Sequence, residues 1–270
     1  DLMRSIGVEP RVNFDALSLG YKLANNFSIN KLNSKKLTFF TTGTVALTFP
    51  ELLKQIASDG HEIACHYHYH DLMYKESNDQ IDRNLSLAKE AIFKASGQEP
   101  IGFRAPVFSI PKDRIDIFDV IEKHFLYDSS YVLYLNKYTR EEYYKEKPFT
   151  LNKLTELPIV PKPFFHEKVS IKSGGTFLRL FTKKMMLQVM EYNKELGFTP
   201  LVYMHPYDYL ENREFWVPLK EFFKSKNLSS FAKYPRQFQW QGLRNKTVFP
   251  KLEFILDSYE HQGKMSKLLK

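Results

Sequence analysis

Apolar positions along this chain follow two rhythms. Short apolar or alternating runs stand between longer stretches in which apolar residues recur every third or fourth position. The first pattern suits a strand and the second an amphipathic helix. Val12-Asn13-Phe14-Asp15-Ala16 reads as a first short strand, and residues 36–41 as another that ends at Gly43. Pro50 opens a helix that stops before Gly60, and residues 61–66 fit a further strand. Ser77 or Asn78 can cap the next helix, whose apolar face is Ile81, Leu85, Ala88 and Ile92 and which closes at Gly97. Residues 100–104 return as a strand. Residues 112–124 look helical, with Ile115, Phe118 and Ile121 on one side. Residues 125–128 and 156–160 read as short strands. Thr182 caps a helix through Leu196, residues 199–204 form a last inner strand, and residues 211–226 a closing helix.

Alternation of strand and helix implies a mostly parallel sheet, open or rolled into a barrel. No internal repeat or linker interrupts it, so residues 1–270 are expected to form one domain. In such sheets polar residues at the C-terminal strand ends build the site. Asp15, His66, Arg104, Asp128 and His205 all fall at or just past predicted strand ends.

Composition narrows the function classes. Hydrophobic residues at 43% and charged residues at 26% are ordinary for a globular protein. The 23 Phe and 16 Tyr read mostly as core, with some exposed Tyr suited to stacking on sugar rings. A formal charge of +8 favours acidic partners such as an anionic glycan or a lipid phosphate. No basic block interleaved with aromatics is present, so nucleic acid is not expected. Cys65 is the single cysteine and rules out an internal disulfide; its apolar neighbours suit a buried core residue. No apolar run is long enough to span a bilayer and no secretory leader is visible, which favours a cytoplasmic location.

The densest chemical signal is Gly60-His61-Glu62-Ile63-Ala64-Cys65-His66-Tyr67-His68-Tyr69-His70, which holds four of the chain's eight histidines. His66 and His70 are four apart, so a helical turn after the strand would put both imidazoles on one face. Two such nitrogens with a carboxylate and an open position hold Zn²⁺ or a similar divalent ion. His68 falls on the opposite face.

These residues resemble the His-x-x-x-His motif of the polysaccharide deacetylases, the NodB-homology or carbohydrate esterase 4 group. Val12-Asn13-Phe14-Asp15 is similar to the family's first, acidic motif, Arg104-Ala105-Pro106 to its Arg-x-Pro, and Asp128-Ser129-Ser130 to its Asp-Ser-Ser. Leu201-Val202-Tyr203-Met204-His205-Pro206 resembles the terminal strand ending in His. Residues 172–180, with Gly174 and Gly175, resemble the Gly-rich segment of members acting on cell-surface glycans. The resemblance is strongest over residues 12–210, leaving 211–270 as closing helix and C-terminal extension.

The resemblance implies a distorted (β/α) barrel with about seven parallel strands. It implies a divalent metal, most readily Zn²⁺ with Co²⁺, Ni²⁺ or Mn²⁺ as alternatives, on Asp15, His66 and His70. His205 would be the general acid, oriented by Asp128, and Arg104 would hold the general base. Pro106, Tyr67, Gly174 and Gly175 would line the substrate, an acetylated or formylated amino sugar in bacterial surface-polysaccharide metabolism. At the base position this chain has Asn13, and an amide cannot take a proton at neutral pH. A hydrolase and a catalytically impaired glycan-binding member are therefore both open.

Overall fold

The computed structural model describes residues 13–133, 149–151, 153–166, 168–211, 216–224, 234–235, 237–238 and 242–269. Its first element corrects the expected first strand. Asn13 is the N-cap of helix α1 (Phe14–Lys31), where its side chain accepts from the Ala16 N–H at 3.0 Å. Asp15 lies in the exposed first turn, and Val12 is outside the described residues. The physical reason is legible after the fact: Ala16, Gly20, Ala24, Phe27 and Ser28 recur at helical spacing and are all buried. Over that length the helical period outweighs a short alternating run.

Beyond α1 the expected alternation holds. Strands β1 (Thr38–Thr41), β2 (Glu62–Cys65), β3 (Gly102–Phe103) and β4 (Tyr127–Asp128) pair in parallel order. Helices α2 (Gly43–Thr48) and α3 (Pro50–Ser58) make the first crossover, α4 (Asn78–Ser96) the second and α5 (Asp116–Ile121) the third. Helix α4 begins with a capping box in which Ser77 and Gln80 exchange side-chain and backbone bonds. Its face of Ile81, Leu85, Ala88 and Ile92 is wholly buried, and each Ile or Leu so placed contributes about 1.5–3 kcal/mol.

Next come β5 (Phe149–Leu151) and β6 (Leu154–Glu156), which complete the sheet in the order β1-β2-β3-β4-β6-β5. Strand β6 is parallel to β4, whereas β5 is an antiparallel edge. Among the described residues the sheet is therefore six strands with five parallel, and not a barrel of about seven. The predicted inner strand at residues 199–204 forms no β-ladder, and Pro200 within it has no N–H to give one. A separate hairpin joins β7 (Lys162–Phe164) and β8 (Val169–Ile171).

Helices α6 (Gly175–Leu180), α7 (Lys183–Glu195), α8 (Pro206–Tyr209), α9 (Leu219–Lys224) and α10 (Val248–Leu256) follow. The helix expected over residues 112–124 is broken into a short 3₁₀ turn and α5. Part of the closing helix expected over residues 211–226 lies outside the described residues.

Register decides which side chains share a face. Cys65, Phe103, Asp128 and Glu156 form one row across β2, β3, β4 and β6. Cys65 and Phe103 pack there into a core with Leu53, Ile63, Leu85 and Ile117. As expected for Cys65 it is a buried core residue, and burial pushes its thiol up to about 12. The opposite face carries Thr38, Phe40, Glu62 and Tyr127. Across it the Tyr127 hydroxyl donates to Glu62 Oε1 at 3.1 Å, and Thr38 Oγ1 donates to Oε2 at 2.6 Å. The 3₁₀ turn Met265–Leu268 is laid on this face: the Met265 N–H reaches Thr38 Oγ1 at 2.8 Å and the Ser266 N–H reaches Glu62 Oε2 at 3.1 Å.

Candidate functional site

The ends of β2 and β3 and one chain reversal bring His66, Arg104 and His70 together. His66 follows β2, and its N–H donates to the Thr41 carbonyl at 2.7 Å. Its ring Nδ1 lies 2.7 Å from the Arg104 carbonyl. A carbonyl only accepts, so Nδ1 carries the proton and the Nε2 lone pair is free to bind. Burial holds this imidazole well below its usual range, helped by the fields of His70, Arg104 and His205, so it is neutral. Tyr203 stands between Arg104 and His205, its ring centroid 5.8 Å from the guanidinium and 6.1 Å from the imidazole.

His70 comes beside His66 by a route other than the predicted helical turn. Tyr67 and His70 both adopt left-handed backbone, at φ 69° and 64°, and the two imidazoles meet edge to face with centroids 4.8 Å apart. His68 turns away into the core beneath Gly43. Tyr67 is not a substrate residue: it is fully buried, and its hydroxyl bonds to Glu76 at 2.8 Å and Asn84 at 3.1 Å.

Arg104 leaves β3 on the opposite face from Asp128. Its guanidinium donates to the Ser129 carbonyl at 3.1 Å and to Ser129 Oγ at 2.7 Å, and lies 4.3 Å from the Phe40 ring centroid. Asp128 accepts from the Ser130 N–H and hydroxyl at 2.8 and 2.6 Å within the helix-packed row. Asp128 was expected to orient His205, but the His205 ring Nδ1 meets Asp208 instead.

The carboxylate beside His205 is Asp208. Its Oδ2 takes the His205 backbone N–H at 2.8 Å and ring Nδ1 at 3.0 Å. Its Oδ1 takes Arg179 Nε at 2.9 Å, and both Asp208 and Arg179 are fully buried. Arg179 is held in turn by Thr176 Oγ1 at 3.2 Å and the Leu243 carbonyl at 3.3 Å. Nδ1 therefore donates to Asp208, and Nε2 of the part-exposed His205 is directed away from it. Helix α1 backs this arrangement. A Cβ on Gly20 would fall 2.9 Å from Pro206 Cβ, and the Tyr209 hydroxyl donates to the Gly20 carbonyl at 3.0 Å. Sequence reasoning missed Asp208 and Arg179. The signals were there in the His-x-x-Asp capping spacing and in one arginine inside the apolar run Phe177–Phe181.

Gly174 and Gly175 serve the site indirectly. A Cβ on Gly174 would lie 2.2 Å from the Tyr203 carbonyl, and the Gly175 N–H donates to that carbonyl at 3.0 Å. They press Tyr203 into place, perpendicular to His205 with centroids 6.1 Å apart. Pro106 is buried at the start of a turn in which Val107 and Phe108 both have positive φ, 56° and 55°. That turn delivers Phe108 edge-on to Tyr203 at 5.3 Å. Tyr203, Phe108 and Lys172 were not singled out from sequence as site residues.

The fit to a divalent ion is incomplete. His66 and His70 supply two converging imidazoles, but no group of three His, Cys, Asp or Glu suited to a metal occurs among the described residues. Asp15, the expected third ligand, sits in the exposed first turn of α1, and Asn13 uses its side chain as a helix cap.

The sequence profile of the polysaccharide deacetylase family matches residues 24–120. That span contains His66, His70 and Arg104 but neither His205 nor Asp208. A peptidoglycan deacetylase-like protein of Gibberella zeae is 33% identical over 123 residues, 44% of this chain and 33% of that protein. A peptidoglycan-N-acetylglucosamine deacetylase of Bacillus cereus is 29% identical over 85 residues, 32% of this chain and 31% of that one. The chain thus matches about a third of the length of these curated relatives. A family 4 carbohydrate esterase from Streptomyces lividans, solved with acetate, superposes with a TM-score of 0.45 at 14% identity, covering 92% of this chain and 83% of that one. At that degree of likeness it does not bear on the site.

Proposed function

We propose that this chain, whose residues 24–120 match the polysaccharide deacetylase family, receives an N-acylated amino sugar between the His66–His70 pair and His205 and hydrolyses its acyl amide. The names of its relatives point to an N-acetylated sugar of the peptidoglycan kind. One observation carries the reading: His205 is held by the buried Asp208–Arg179 pair through Nδ1, which leaves Nε2 to serve a substrate. In amide hydrolysis the C–N bond breaks, water oxygen joins the acyl carbon, and the departing nitrogen needs a proton. On this reading His205 gives that proton, with Asp208 fixing its tautomer and stabilising its charged form, the logic of an Asp–His pair in hydrolases. A divalent ion on His66 and His70 would polarise the acyl oxygen and acidify its water. The roles of His205, Asp208 and Arg179 are independent of that ion.

A second reading is favoured by a specific observation. Asn13 caps a helix and Asp15 faces solvent, so the described residues supply the acid half of the reaction and not a carboxylate base. On this reading the chain binds the sugar without turning it over.

Turnover of a chitooligosaccharide, measured with and without added Zn²⁺ and paired with elemental analysis, separates the two. On the first reading the chain releases acetate, and His205→Ala lowers the rate by about 10²–10⁴-fold. Asp208→Asn lowers kcat more than KM, because it disturbs the tautomer rather than the binding surface. Sugar binding by calorimetry with no acetate released supports the second reading. Acetate release unaffected by His205→Ala would remove the acid assigned here.

A further inference from the structure

Lys172 stands between the end of β8 and helix α6 and is half-buried. Among the described residues no carboxylate lies within ion-pair range of its ammonium, which sits over the face of Phe108, 4.9 Å from the ring centroid. Burial lowers its pKa. Holding a cation this way is unfavourable unless an anion arrives to meet it.

The same aromatic corner carries a second cation. The Arg104 guanidinium lies 5.8 Å from the Phe108 centroid and 5.8 Å from that of Tyr203, and its hydrogen bonds go to the uncharged Ser129. The neighbouring carboxylates are spoken for. Asp208 is paired with Arg179, and Asp128 and Glu156, whose fields reach Arg104, lie in the row on the other face of the sheet and form no ion pair with it. Phe108 is brought to the corner by two successive residues at positive φ, a conformation that persists only where the surroundings enforce it.

We infer that Lys172, with Arg104 behind the same ring, receives an oxyanion carried by the substrate, either a carboxylate or a phosphate borne close to the acylated sugar. This rests on the reading of the site as a sugar site and adds the substrate's charge to it. Lys172 is then a specificity residue, which selects acidic amino sugars over neutral ones.

Calorimetric titration of the whole chain with three ligands tests this: N-acetylglucosamine, N-acetylmuramic acid and N-acetylglucosamine 1-phosphate. The expected result is a preference of about 10–100-fold for at least one acidic ligand over the neutral sugar. Preference for the muramic acid identifies a carboxylate, and preference for the sugar phosphate identifies a phosphate. The preference should shrink as salt rises from about 0.05 to about 0.5 M. It should collapse toward unity in Lys172→Met and survive in Lys172→Arg. The salt series keeps the test decisive if Lys172→Met does not fold. Equal binding of all three ligands, or a preference untouched by Lys172→Met, overturns the inference and leaves the sugar site standing. Binding of none of them overturns both.

Discussion

Asp128 and Glu156 face one another across β4 and β6 in a buried row of the sheet. Burial raises the pKa of both, and Glu156 stands far above the usual carboxylate range because Asp128 adds a like charge. Glu156 Oε2 is reached by no N–H or O–H donor among the described residues; protonated, it donates to Asp128. The pair therefore holds one proton in the folded chain that the unfolded chain releases above the ordinary Glu value of 4.5. A raised folded pKa gives stability that is complete below the unfolded value and lost as pH rises toward the folded one. Glu156→Gln keeps the hydrogen bond without the proton. Its stability relative to the parent should grow by about 1.4 kcal/mol per pH unit above pH 5, as read by urea unfolding. Parallel pH curves for the two proteins would show that Glu156 is ionised in the fold.

Helix α1 shows what could and could not be read from the chain. Ser77, Gly97, Thr182 and the apolar face of α4 were legible because caps and helical periods are local signals. The start of α1 was misread because a five-residue alternation fits a strand, while an Asn followed by an acidic first turn equally marks a helix start. Of the residues expected together at strand ends, His66 and Arg104 do meet, His66 Nδ1 lying 2.7 Å from the Arg104 carbonyl, whereas Asp15 lies in the first turn of α1. The choice of Asp208 over Asp128 was not legible, because it depends on which face of β4 meets the helices, and register is a property of the assembled sheet. If Asn13 is a cap, Asn13→Ala costs about 1 kcal/mol of stability. Asn13→Asp is neutral or stabilises by up to about 1 kcal/mol through the helix dipole. Chemical denaturation of the two variants checks this. Loss of stability in Asn13→Asp as large as that in Asn13→Ala would contradict the capping role.

On the scale of the molecule, Glu62 is the knot between the sheet and the 3₁₀ turn Met265–Leu268. It accepts from Thr38, Tyr127 and the Ser266 N–H while 6% exposed. Glu62→Ala should lower the unfolding free energy by about 2–4 kcal/mol, since it strands buried donors as well as deleting bonds. Amide exchange should quicken at residues 265–268 before it does in α4. Unchanged exchange there would mean that the turn is held by its own packing. The same knot bears on the order in which the chain assembles. Met265 meets Thr38 across 227 residues of sequence, whereas β1 and β2 can pair as soon as the short crossover between them has formed. Long loops close late and slowly, so the first parallel strands form with the polar face of Thr38, Glu62 and Tyr127 still wet. Arrival of the turn is then the step that dries this face, and a slow last phase in refolding, selectively lost in Glu62→Ala, is its kinetic signature.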